Sequence, residues 1–236
     1  MNNNIHFYAP AKNDYISPVS LWSVARVTVN DDGVRWLETQ WTGGSDLQGM
    51  ALYVSALDAA IAAEVLNKSG GTQEWQVYPF ADLNITEMMI AMKARKPEYC
   101  IMLAFGFTID DFRHLVLHSA LYRSLQFPET FLISDGLNPV SNQAILKFNE
   151  SLFDEMNKYW HEEFANYCES MEYQNSLPVG LIKEHARIAV STAMVTTTPI
   201  VSAASQYYVS TYSIEKKMWI VSSLDVRGAK PANNLH

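Results

Sequence analysis

Residues 99–107 form the longest stretch of the chain free of polar side chains, Tyr-Cys-Ile-Met-Leu-Ala-Phe-Gly-Phe, and Thr108 closes it. The run is far too short to cross a bilayer as a helix and has the length of a strand buried on both faces. A strand of that kind cannot face water on either side. Packed layers must therefore lie both above and below it, and residues 99–108 are expected to be the central strand of a sheet.

The flanking sequence supplies material for such a sheet. Residues 21–29 are rich in β-branched and aromatic side chains, Asn30-Asp31-Asp32-Gly33 is turn chemistry, and residues 34–41 are again extended, which predicts a β-hairpin. Met50, Val54, Leu57, Ile61 and Val65 recur at helical spacing and stop at Gly70-Gly71. Residues 75–80 read as a strand. Asn84 with Glu87 three residues later forms a capping box for a short helix that ends in basic residues before Pro97. Thr108 with Asp111 predicts a helix to about residue 125, followed by a strand over 130–133. Asn138-Pro139 opens the most periodic segment, in which Ile145, Phe148, Leu152, Met156, Trp160, Phe164, Tyr167 and Met171 step by three or four, so one long acidic amphipathic helix is expected. Beyond it, residues 187–198 alternate around β-branched side chains, and residues 206–213 and 217–224 suggest a second hairpin turning at Ile214-Glu215.

Helices and strands mixed in this way predict an α+β fold, a mixed sheet with packed helices, with a three-layer α/β arrangement as second choice. No linker-like or low-complexity tract divides the chain, so residues 1–236 are expected to form one domain. The uncharged, aperiodic ends, about 1–5 and 229–236, are expected to fray. The opening residues lack the basic and apolar pattern of a secretory signal, no run is long enough to span a membrane, and Cys100 and Cys168 show neither metal-knuckle nor disulfide spacing. A cytoplasmic protein with reduced, packed thiols is expected.

A net charge of −8 disfavours nucleic acid as a partner, because phosphate contacts need bases. The excess is concentrated. Residues 147–175 carry seven acids against two bases, and Glu150, Asp154, Glu155, Glu162 and Glu163 lie mainly off the apolar stripe, with Lys158 placed to pair with Asp154 or Glu162.

Candidate chemistry is sparse. On a helix, Asp111, His114 and His118 share a face and can converge on a metal, with Asp111 as a plain helix cap the simpler reading. Residues 41–46, Trp-Thr-Gly-Gly-Ser-Asp, sit between strand and helix as a phosphate loop would, yet no lysine follows and Asp46 opposes an anion. His161 and Cys168 fall two helical turns apart, although a packed cysteine is the commoner state. No cofactor motif is present in the sequence, so none is expected.

The leading expectation is a non-enzymatic protein that binds a basic protein partner, in general profile a bacterial immunity protein or antitoxin blocking a toxin. Its acids at 150, 154, 155, 162 and 163 would steer association, with Trp36, Trp41 and Tyr53 as candidate anchors. A metal-assisted hydrolase using Asp111, His114 and His118, and an accessory component of a phage or secretion assembly, are the alternatives.

Overall fold

The computed structural model describes residue 7 and residues 15–43, 47–110, 112–118, 121–196 and 208–222. The chain begins with strands β1 (Tyr15–Ile16), β2 (Trp22–Val29), β3 (Arg35–Thr39), β4 (Trp41–Gly43) and β5 (Gln48–Tyr53), then helix α1 (Ala56–Lys68), β6 (Gln76–Pro79) and α2 (Ile85–Lys93). It continues through β7 (Glu98–Ile109), β8 (Leu115–His118), β9 (Leu121–Tyr122), β10 (Ser124–Leu132) and β11 (Leu146–Lys147). Three helices follow, α3 (Glu150–Tyr159), α4 (Tyr167–Asn175) and α5 (Val179–Thr192), and then β12 (Val195–Thr196), β13 (Tyr208–Ser213) and β14 (Met218–Val221). The fold is α+β. The expected fraying at 1–5 and 229–236 falls outside the described residues.

β7 is the apolar run, and every residue after Glu98 is buried. It pairs in parallel with β5 from Met50↔Ile101 to Tyr53↔Ala104, and antiparallel with β10 on its other edge. Its far end, from Phe107 to Ile109, pairs with β13. Tyr99, Ile101, Leu103 and Phe105 point into a core built with α2 and α3, whereas Ala104 packs with Ala59, Ala62 and Ala63 of α1. Helices thus cover both faces, as the two-sided hydrophobicity of the run requires.

Strict alternation would send Phe107 and Ile109 to the same side as Phe105. They belong instead to the opposite core, with Leu57 and Ile61 of α1 and Ile182 of α5. A bulge produces the switch: Gln126 faces Ala104 but Ser124 faces Phe107, so Phe105 and Gly106 together oppose Leu125. Gly106 holds φ at +112°, and a Cβ there would lie 2.6 Å from Val209 Cγ1 and 3.0 Å from the Ser210 carbonyl oxygen. Only glycine tolerates this corner.

Both hairpins form as expected. Asn30 Oδ1 accepts from the Val34 amide and closes the β2–β3 turn, and β13 pairs with β14 from Ser210↔Val221 to Ser213↔Met218. The Asn84 side chain caps α2 by accepting from the Glu87 amide at 3.1 Å.

Four segments depart from expectation. Residues 48–53 are strand, so the helix predicted from Met50 begins only at Ala56, capped by Ser55. Among the described residues of 108–125 no helix forms: β7 runs on to Ile109, Asp110 bonds back to His114 and Arg113, and the chain returns as β8. Thr108, read as the helix cap, is a residue of β7, and the turn beyond holds Arg113 at φ +63°. The single long acidic helix expected from Asn138-Pro139 is instead α3 and α4, with residues 138–149 outside any helix and a turn at 160–166 between the two. Asn149 and Asn166 each cap a new start, and the buried Trp160 ring stacks on Tyr167 at 5.5 Å, folding the chain back where a continuous helix would have carried it outward. Finally, of residues 187–198, read as extended, 187–192 instead close helix α5 (Val179–Thr192), while Val195–Thr196 are strand. Ile182, Ala186 and Ala189 lie on one face against α1, and packing outweighs propensity there. No helix among the described residues is long and apolar enough to cross a membrane.

Substituting Gly106→Ala should cost about 1–3 kcal/mol in a denaturant titration, since it adds both backbone strain and a clash at the bulge. Gly180→Ala, in α5 and with open space around the new methyl, should be neutral or slightly stabilising.

Candidate functional site

The five acids picked out by sequence do not share one helix. Glu150, Asp154 and Glu155 stand on α3, and Glu162 and Glu163 on the turn that follows. Glu150, Asp154 and Glu162 are exposed, whereas Glu155 and Glu163 are half-buried. Lys158 pairs with Glu155 at 3.0 Å, not with Asp154 or Glu162 as helical spacing suggested, and the His161 ring lies 3.8 Å from Glu162. Glu150 and Asp154 are one helical turn apart with no cation in ion-pair range among the described residues. Just before α3, the β1–β11 ribbon turns Leu146 inward and leaves Ile145 63% and Ile16 55% exposed.

The proposed metal face does not form as a helix face, because residues 115–118 are strand. Asp111 and the side chain of His118 lie outside the described residues. The Asp110 carboxylate accepts from the Phe112 and His114 amides at 2.9 and 2.8 Å and so holds the β7–β8 turn, with His114 Nδ1 3.6 Å away. Among the described residues no three His, Cys, Asp or Glu side chains gather as metal ligands. Residues 44–46 of the glycine loop also lie outside the described residues. His161 and Cys168 do not form a reactive pair: the His161 ring sits against the Lys158 carbonyl, and burial pushes the buried Cys168 thiol up to about 11. Cys100 is likewise a free, buried thiol. Of the candidate anchors, Trp41 is exposed and Trp36 half-buried, but Tyr53 is buried with its hydroxyl donating to Gln40.

Two features were not foreseen. The first is Asp58, fully buried in the first turn of α1. Its amide donates to the Ser55 hydroxyl, and its Oδ1 accepts from Thr211 of β13 at 3.1 Å, while Oδ2 and the nearby Tyr167 hydroxyl have no partner among the described residues. Burial pushes its carboxyl up to about 7, and the Thr211 hydrogen bond opposes that only in part. The Ser55-x-x-Asp58 spacing marks a helix start in the sequence, but nothing there marks the carboxylate as interior.

The second is a cleft of about 450 Å³ where the sheet forks. Gln40 stands at the apex: its amide donates to Val24 of β2 and its carbonyl accepts from Ala51 of β5. From there β3 follows β2 and β4 follows β5. Tyr99, Met88 and Met92 wall the cleft from the α2 side of the sheet, and Leu66 and Trp75 from the α1 side. Its size is that of a small-ligand site, and its lining is mostly apolar with few polar groups.

Comparison of the chain with protein-family models, with curated proteins and with solved structures finds no match.

The buried Asp58 implies a pH dependence of stability. Its proton is held more tightly in the folded chain than in the unfolded one, where the carboxyl titrates near 3.8. The folded state therefore binds more protons between those values, and stability should fall by on the order of a few kcal/mol as pH rises from about 4 to about 7, then level off. Asp58→Asn keeps the Thr211 contact without the charge and should flatten this part of a denaturant-midpoint profile. An unchanged slope would show that another group is responsible.

Proposed function

We propose that this chain is a non-enzymatic binding protein that masks a basic protein partner, as a bacterial immunity protein or antitoxin does. The observation that carries the proposal is the exposed outer edge of α3 and its following turn. Glu150, Asp154 and Glu162 stand there in solvent, and the one lysine of α3 is committed to Glu155. Adjacent like charges on a helix weaken it slightly, and a complementary basic surface would relieve that repulsion. Glu150 lies in the first turn of α3, where the helix dipole already favours an acid, so the face is tolerated without a partner and available to one. Ile16 and Ile145, exposed on the ribbon that leads into α3, supply apolar contact beside the charges. Charge would then govern how fast the partner arrives, and apolar contact how long it stays.

The test is affinity capture of the tagged chain from its own cells at low and at high ionic strength, followed by association kinetics with the captured protein. A single stoichiometric partner with a basic surface is expected, with its association slowed by salt. The triple variant Glu150→Lys, Asp154→Lys, Glu162→Lys should slow association by about tenfold or more while leaving the thermal midpoint nearly unchanged. Equal association rates for variant and parent would refute the charged interface.

A further inference from the structure

Independently of the acidic face, we infer that the cleft at the sheet fork takes a short extended apolar peptide segment of another protein, added as a strand against the outward backbone groups of Leu37 and Thr39 in β3.

The backbone makes the first part of the case. Gln40 donates its amide to Val24, which sets the register of β3 on β2, so Glu38 and Trp36, at alternate positions, also turn their backbone groups toward β2. Leu37 and Thr39 then direct N–H and C=O away from β2, toward the space that opens between β3 and β4. Neither has a backbone partner there among the described residues. Unpaired groups of this kind are a template for another strand, and Leu37 and Thr39 present theirs about 7 Å apart along β3.

The lining makes the second part. Residues 37–41 all border the cleft, so the cavity runs along the strand and does not merely touch one of its faces. Its walls belong to opposite sides of the sheet: Phe7, whose ring meets Trp36 at 5.2 Å, with Met88, Met92 and Tyr99 on one, and Leu66 and Trp75 on the other. A strand laid along β3 sends successive side chains to opposite sides. Each would enter an apolar or aromatic wall while the peptide backbone met the free groups of Leu37 and Thr39. A compact apolar molecule could use the walls but would leave those backbone groups unpaired, so the combination selects an extended peptide with apolar side chains at adjacent positions.

The full chain should be probed with an array of acetylated, amidated pentapeptides, and the best binders remade with an N-methyl group on each central amide. Peptides with consecutive aliphatic or aromatic central residues should be retained over Gly/Ser pentapeptides. N-methylation should weaken the best of them by about tenfold, the loss of one backbone hydrogen bond. Ala91→Trp, at an exposed α2 position lining the cleft, should abolish retention by filling it. The charge-reversed triple variant should bind the same peptides as the parent, which separates this site from the acidic face. Retention of no pentapeptide above the Gly/Ser background would overturn the inference. So would equal binding of the N-methylated twins, because the site would then read side chains alone. The N-methyl comparison uses the unaltered protein and remains decisive even if Ala91→Trp folds poorly.

Discussion

A strand with large side chains on both faces cannot rest against water, and the arrangement of this molecule follows from covering β7. Its two edges are closed by β5 and β10, its far end by β13, and its faces by α2 and α3 on one side and α1 and α5 on the other. The bulge at Gly106 lets one strand serve two cores, because a single extra residue reverses which side chains face which layer. α1 sits close to the sheet because it presents alanines there, and it is buried on nearly every side.

That close packing gives Asp58 its character. A carboxylate in the first turn of a helix is ordinarily favourable, since the unpaired amides there attract negative charge. Here the same position is sealed by β13 and α4, so desolvation dominates and the neutral acid is preferred at low pH. Asn175 and Gln174 of α4 close the start of α1 from outside: Asn175 accepts from the Ala56 amide and donates to the Val54 carbonyl, and Gln174 accepts from the Ser55 hydroxyl. The helix terminus is satisfied by a neighbouring helix, which fixes how the two meet.

Much of this fold was legible in the residues. The two-sided run at 99–107, the Asn30-Asp31-Asp32-Gly33 turn and the Asn84 cap each encode their structure locally, and each formed as read. The failures have separate causes. Phe148, Leu152, Met156, Trp160, Tyr167 and Met171 are all in the core as their spacing implied, yet the helix breaks between them, because Asn166 can restart a helix as readily as Asn149 starts one. Asp110 and Arg113 make a hairpin in a place where cap and turn chemistry look alike. Residues 187–192 carry β-branched side chains that read as extended, yet they end a helix whose inner face packs on α1. The acids at 150, 154 and 162 were legible as an exposed face. The cleft was not, since Tyr99, Met92, Leu66 and Trp75 are brought together by a divergence of two strands that no local pattern records.

The pairing of β7 with β13 bears on how the chain is made. Phe107 to Ile109 must wait for Tyr208 to Ser210, about a hundred residues later, before their outer edge is covered. During synthesis the most apolar strand of the protein is therefore complete, and already matched by β5 and β10, while one end of it stays open. The nascent chain carries a sticky, unfinished edge for the whole time it takes to make α3, α4 and α5, and that interval is where chaperone protection would matter most.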